Sequence, residues 1–308
     1  MKWKKLGKIF EINENYKKDW MFSHSANPTA LLLNDNVFRV FFSTRDVNNK
    51  SNVGFFDMEI EEKISILNVS NIPSLLHGGK GSIDEYGIGI GSLFNDGTNI
   101  FMSYMAWQIP KNKHWRGDIA IVKLSDDKQI FIPKSVSLLL GTDLQEDKIS
   151  LSYPYIYYYE GNHYMWYGST ETWMHDNGEM IHTIKLAISK DLKIWQRLGT
   201  KLELQLGKAQ AFSRPTVIKI CDKYHMWFSY RGNKDKYKIG YAISKDLINW
   251  DSFYNQDNTI IVSDKGWDSE MVCYPCVFEF NNTLYMLYNG NGYGKTGIGL
   301  AVLEGELV

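Results

Sequence analysis

Three aspartates, Asp84, Asp147 and Asp268, occupy one repeated position in the chain, and Glu85 and Glu270 stand close to two of them. Paired carboxylates are groups that donate and take up protons as general acid and base. Asp84 precedes GIGIGS, a Gly-rich run that leaves room for a ligand close to the backbone. Glu270 follows Trp267, an apolar neighbour suited to a proton donor. Asp84 and Glu270, with Asp268, are therefore the candidate catalytic acids. The competing role is local, because Asp readily bonds the amides of its own turn. Four basic residues, His24, Arg45, Arg214 and Arg231, supply a second chemistry. Converging guanidinium groups hold carboxylates and phosphates through forked hydrogen bonds. Arg45 could instead pair with Asp46.

These residues are positioned by a repeat. The stretch SRPTVIKICDKYHMWFSYRGNKDKYKIGYAISKDLINW (213–250) reads as three strands and a closing turn, rich in β-branched and aromatic residues with Gly, Asn, Asp and Lys between runs. Its anchor, Pro215, recurs as Pro28, Pro154 and Pro275, with 61 residues from Pro154 to Pro215 and 60 from Pro215 to Pro275. Gly91 stands halfway between Pro28 and Pro154 and completes the series without a proline. Repeats of this length specify a propeller or an array. The expected fold is all-β, a single five-bladed β-propeller with blades at roughly 20–70, 82–140, 147–204, 208–263 and 267–308. The segment WKKLGKIFEI (3–12) matches WQRLGTKLEL (195–204), which follows the third strand of unit three. The N-terminus is thus expected to supply the missing outer strand of the last blade and close the ring, removing exposed strand edges.

In such a blade the first strand begins where the second ends, so two sets of residues converge on one mouth. The residues before the anchor are Asn27, Ile90, Tyr153, Arg214 and Tyr274. Those after the second strand include Arg45, Asp46, Trp107, Glu171, Arg231, Asn289 and Asn291. Together with His24, the polar and aromatic members are the candidate substrate-binding residues. The loops 107–118 and 170–183 are long and stand on the same rim, where substrate contacts concentrate. SKDLKIW (189–195) and SKDLINW (244–250) read as Asp-centred turns with a packed Trp.

The repeated units, the AISKDL turns and the N-terminal strand resemble the five-bladed propellers of glycoside hydrolase families 32, 43 and 130. IDEYGIGIGS (83–92) is similar to the FD-x-x-G-x-x-SGS stretch of the fructan-cleaving group. The resemblance covers essentially the whole chain for the fold. For activity, families 32 and 43 imply an acid from the first blade, an Asp from a middle blade and a Glu donor, the first two at or near the residue before the anchor. Here those positions hold Asn27 and Tyr153, and unit four has Arg214. An amide cannot act as nucleophile or base, so the carboxylate triad does not carry over. Resemblance to the family 130 phosphorylases implies one acid and a basic phosphate site, which tolerates these changes.

The expected function is a carbohydrate-active enzyme that makes or breaks a glycosidic bond, hydrolase- or phosphorylase-like, on an anionic or phosphate-bearing sugar. A glycosyltransferase of surface-glycan biosynthesis using a nucleotide- or phosphate-linked sugar is the first alternative. A non-catalytic glycan-binding propeller is the second. No cofactor and no metal is expected. His175 and His182 share a loop without a third ligand, and CYPC (273–276) lies in a strand, away from any helix N-terminus that would stabilise a thiolate. NGNGYGKTG (289–297) is followed by a strand, which a phosphate loop would not be. The net charge of −1 with mixed acids and bases argues against a nucleic-acid partner. Three cysteines make no disulfide framework, no apolar run is long enough to enter a membrane, and the basic N-terminus lacks an apolar stretch. A cytoplasmic location is the resulting expectation.

Overall fold

The computed structural model describes residues 2–254 and 259–305. The expected last blade, with its N-terminal strand, reaches residue 1 and residues 306–308, and the fourth spans 255–258; these parts lie outside the described residues. Over the described residues the protein is all-β and propeller-like, with antiparallel strands grouped in fours. The first group is β2 (Ser23–Asn34), β3 (Val37–Arg45), β4 (Ser51–Ile60) and β5 (Ile64–Val69). The second is β6 (Gly87–Asn95), β7 (Ile100–Gln108), β8 (Arg116–Lys123) and β9 (Ser137–Leu140). The third is β10 (Leu151–Tyr159), β11 (Asn162–Thr172), β12 (Ile181–Ser189) and β13 (Gln196–Thr200). The fourth is β14 (Ala211–Ile220), β15 (Lys223–Arg231), β16 (Lys238–Ser244) and β17 (Asp251–Phe253). The last is β18 (Cys273–Phe280), β19 (Thr283–Asn289) and β20 (Ile298–Glu304), completed by β1 (Lys2–Phe10). β1 runs antiparallel to β20 from Lys2↔Glu304 to Phe10↔Ile298, the pairing expected of the N-terminal segment. No helix among the described residues is long and apolar enough to cross a membrane.

Inner strands carry near-continuous apolar runs because both sheet faces are covered. In β15, KYHMWFSYR, every residue between the two ends is buried. Outer strands instead alternate, as in β5, where one face meets solvent. Each main core cluster lies between neighbouring groups: Phe41 and Val53 meet Ile88 and Ala120, for example, and Trp166 and Leu186 meet Phe212 and Met226. The last group packs on the first through Leu287 and Leu300 against Val40 and Phe42, with Phe38 and Phe278 ring centroids 4.9 Å apart.

The repeated X-Pro anchors are bulges. Asn27, Tyr153, Arg214 and Tyr274 have φ of 54°, 35°, 47° and 56°, and each sits at a register shift in its hairpin. A proline cannot donate to the ladder, so it is accommodated where the ladder breaks. The bulge turns the preceding side chain toward the centre. In the second group Gly91 replaces the proline, and a Cβ there would stand 2.1 Å from Pro154 O.

The repeated acids, with Asp84 and Asp268 of the expected catalytic set among them, are bound into the scaffold. Asp84, Asp147 and Asp268 are buried and accept hydrogen bonds from Tyr104 (3.2 Å), Tyr167 (2.9 Å) and Tyr288 (3.2 Å), each twenty residues on. Burial, then the adjacent carboxylate, raises each phenol well above its ordinary value, so the hydroxyl stays a donor. Asp268 also pairs with Lys5 of β1 at 2.6 Å. The SKDL turns form as expected, with Asp191 accepting from the amides of Lys193 and Ile194 and Asp246 from those of Ile248 and Asn249.

Candidate functional site

At the mouth where first strands begin and second strands end lies a cavity of about 420 Å³. Its floor is the bulge ring. Asn27, Tyr153 and Tyr274 line it, with Tyr153 and Tyr274 ring centroids 5.4 Å apart. Tyr237 and Tyr293 extend this tyrosine wall. Burial raises the Tyr153, Tyr237 and Tyr274 phenols, leaving protonated hydroxyls that can donate to a ligand. Asn27 is buried, and its Oδ1 has no hydrogen-bond partner among the described residues. A buried acceptor in that condition costs stability unless a ligand or water fills it.

Arg214, expected at the mouth as an anion-binding group, is turned beneath the floor. It is 2% exposed and donates to Pro28 O (2.5 Å), Thr29 Oγ1 (2.7 Å), Pro275 O (2.8 Å), Tyr274 O (3.1 Å) and Ile90 O (3.2 Å). The bulges aim carbonyls at the centre without a strand partner, and one guanidinium satisfies those of three other groups. Its donors are committed to four carbonyls and the Thr29 hydroxyl, which occupies them without a substrate anion.

Arg45 and Arg231 do reach the cavity, from the ends of β3 and β15. Arg45 Nη1 donates to Asn49 Oδ1 at 2.6 Å, and no carboxylate pairs with it among the described residues. His24 lies beside it, its pKa pushed down to about 4 by burial and then by the positive charges of Arg45 and Lys295. This side of the mouth is therefore positive, with Arg45 and Lys295 in no ion pair among the described residues. Arg231 is different: its Nη2 meets Glu179 Oε1 at 2.9 Å and its guanidinium lies 4.9 Å from the Tyr237 ring centre. Its Nε is buried without a partner.

Glu179 is the one carboxylate lining the cavity among the described residues, and sequence reasoning missed it. It belongs to the loop between β11 and β12, which the sequence marks only by its length. Asn177 of that loop bonds Gln210, and Asn233 donates to Asn177 O, so groups three and four hold Glu179 in place. Next to it, Ser152 Oγ lies 2.7 Å from His182 Nε2, and His182 Nδ1 lies 2.8 Å from Thr170 Oγ1. Burial lowers the His182 pKa to about 3, so the ring is neutral. Gly168 makes the space, since a Cβ there would stand 2.2 Å from Ser152 Oγ.

The remaining expected residues divide. Trp107 lines the cavity. Asp46 instead accepts from the amides of Asn48 and Lys50, both at 2.8 Å, and caps its own turn. Glu171 pairs with Lys185 at 2.7 Å on the outside. Asn289 is buried, accepting from Asn27 N–H and donating to Ser25 O and Gly297 O. Asn291 accepts from the amides of Glu270 and Met271 and so braces that loop. Glu270, expected as the acid, is exposed and outside the cavity lining. The short polar side chains of Asp46, Asn289 and Asn291 are thus consumed by nearby backbone groups.

No family model matches the chain. It is 35% identical over 305 residues to "Uncharacterized protein MT1551" of Mycobacterium tuberculosis (strain CDC 1551 / Oshkosh), spanning 99% of this chain and 100% of that one. Among solved structures it is similar to the inulosucrase from Halalkalicoccus jeotgali bound to kestose, with a TM-score of 0.68, 13% identity, and 96% and 88% of the two chains covered. It is also similar to the alpha-L-arabinofuranosidase PaAbf62A from Podospora anserina in complex with cellotriose, with a TM-score of 0.70, 9% identity, and 98% and 96% covered. At these identities the structural likeness speaks for the fold, that of glycosidase-like propellers. The chain thus belongs to the family of the mycobacterial protein MT1551, and its fold is similar to that of the inulosucrase and arabinofuranosidase structures.

Proposed function

We propose that this chain transfers a glycosyl group between an alcohol and a phosphate, making or breaking a glycosidic bond on a phosphate-bearing sugar. We also read the five strand groups as one closed five-bladed domain, with the reaction at its mouth. The observation that carries the function is the pairing of one cavity carboxylate, Glu179, with a separate arginine, Arg45, that has no carboxylate of its own among the described residues. Hydrolysis by two facing carboxylates asks for a second acid that the described cavity lining lacks. Transfer does not. A phosphate leaving group departs with its charge and needs a cation rather than a proton. The acceptor alcohol must lose its proton as its oxygen attacks the sugar carbon, and Glu179 takes that proton. In the reverse direction phosphate oxygen attacks, the glycosidic C–O bond breaks, and the alcohol leaves with the proton from Glu179. One acid–base group and one anion site therefore serve both directions.

The test is a screen of sugar 1-phosphates and nucleotide sugars with alcohol and sugar acceptors, reading phosphate or nucleotide release. Glu179→Gln should lower turnover at least ~100-fold, the usual scale for a general acid or base. Arg45→Ala should abolish thermal stabilisation by inorganic phosphate, because a ligand that binds only the folded state raises its melting temperature. Phosphate-independent hydrolysis that survives Glu179→Gln would overturn this reading. Binding of neutral glycans with no turnover of any donor would favour the non-catalytic alternative.

A further inference from the structure

We infer that Trp115 and Trp173 form an outer subsite that stacks a second sugar ring, so that the acceptor, or in reverse the substrate, is an oligosaccharide rather than a monosaccharide. This rests on the glycosyl-transfer reading of the same cavity and names the alcohol it uses. The two tryptophans come from different strand groups: Trp115 from the loop between β7 and β8, Trp173 from the loop between β11 and β12. Both line the cavity, and neither belongs to any of the core clusters. Indoles outside a core, half-buried at the edge of a polar cavity, expose apolar ring surface that water serves poorly.

The geometry selects the occupant. Trp115 and Trp173 stand with ring centroids 4.6 Å apart at 68°, forming a corner. His114 stacks on Trp173 at 4.7 Å and 17°, which fixes that indole. A sandwich of two parallel rings would suit a flat nucleobase. A corner suits a pyranose or furanose, which offers a patch of C–H groups on one side and hydroxyls around its edge. The same two loops expose further apolar side chains, Ile109 (45% exposed) and Met174 (69% exposed). The loops are held before any ligand arrives: Thr172 Oγ1 donates to Met174 O, and Lys113 N–H bonds Pro110 O. Glu179 lies six residues beyond Trp173 in the same loop, so the subsite and the proton-handling group are carried together.

The experiment titrates the protein, by intrinsic fluorescence and by calorimetry, with matched mono-, di- and trisaccharide sets of glucose, galactose, mannose and arabinose, and separately with inorganic phosphate. In at least one set the disaccharide should bind about tenfold more tightly than its monosaccharide, the order expected of one aromatic contact. Trp173→Ala and Trp115→Ala should each remove that gain, Trp173→Phe should retain part of it, and phosphate binding should stay unchanged in all three. The inference is overturned if the gain survives both alanine substitutions, or if sugars bind without any gain from the second ring. It is equally overturned if Trp173→Ala also abolishes phosphate binding, since the indole is then only a prop for the site. Failure of the wild type to bind phosphate or any sugar would instead sink the underlying reading, and this inference with it.

Discussion

Arg214 and Arg45 were both expected at the mouth, and the molecule uses them in opposite ways. Arg214 sits in the bulge before Pro215, where φ is positive and the side chain is thrown to the centre. There it meets main-chain carbonyls from three other strand groups and is consumed by them. Arg45 sits at the end of β3, where the strand is leaving the sheet, and bonds Asn49. The acids divide in the same way. Asp84, Asp147 and Asp268 recur and are each bound to a tyrosine twenty residues on. Glu179 occurs once, in a loop without counterpart. In a repeated fold, a polar residue that recurs in register is the stronger candidate for holding the units together, and one that breaks the pattern is the stronger candidate for a site.

The largest expected effect is on stability at Arg214. Replacing it with Ala leaves buried carbonyls unpaired and should cost at least about 3 kcal/mol in denaturant unfolding. Arg45→Ala should cost less than about 1 kcal/mol, since its side chain is half-exposed and has no ion-pair partner among the described residues. Equal losses for the two substitutions would erase the distinction between them.

The acids sharpen the same comparison with signs reversed. Asp84→Asn and Asp268→Asn should each lower stability by about 1–3 kcal/mol, because a charged acceptor of a buried phenol is weakened. Turnover by the protein that remains folded should change little. Glu179→Gln should do the opposite, leaving the melting temperature near wild type. An Asp84→Asn protein of native stability and ~100-fold lower turnover would return that residue to the chemistry.

A smaller effect separates cavity and scaffold by pH. His24 and His182 have pKa values lowered from 6.5 to about 4 and about 3, in both cases chiefly by burial. The unfolded chain takes up these protons below pH 6.5 while the folded one refuses them, so stability present above pH 6.5 should decline as pH falls toward 4. Asp147 acts lower on the scale. Burial alone would raise it, but hydrogen bonds from Ser169 and Arg197, with the Lys185 charge, leave it below its ordinary 3.8. Its contribution is present above that value and is lost only as pH falls through the folded one. His182→Asn should flatten the decline between pH 6.5 and 4 without touching the loss at lower pH. A wild-type curve flat down to pH 4 would contradict the burial of these rings.

What the sequence by itself determined is what depends on local pattern. Strand length, the 60-residue register, the X-Pro anchors, the Asp-centred turns and the match between 3–12 and 195–204 are all written in nearby residues. The ring of residues before the anchors was legible for the same reason, and Asn27, Tyr153 and Tyr274 do line the cavity. The signal for Glu179 was present as well, in a loop too long for its unit, but nothing local singled that residue out from Glu171. Tertiary structure decided the direction and partner of each polar side chain. Whether a carboxylate at the mouth faces a ligand or a tyrosine depends on atoms twenty residues away. Arg214 answers to carbonyls 60 to 186 residues distant, and Glu179 is held by Asn177 through Gln210 and Asn233. A buried polar group goes to whichever unsatisfied partner the assembled chain brings within reach, and that partner is set by the closure of distant strands rather than by sequence spacing.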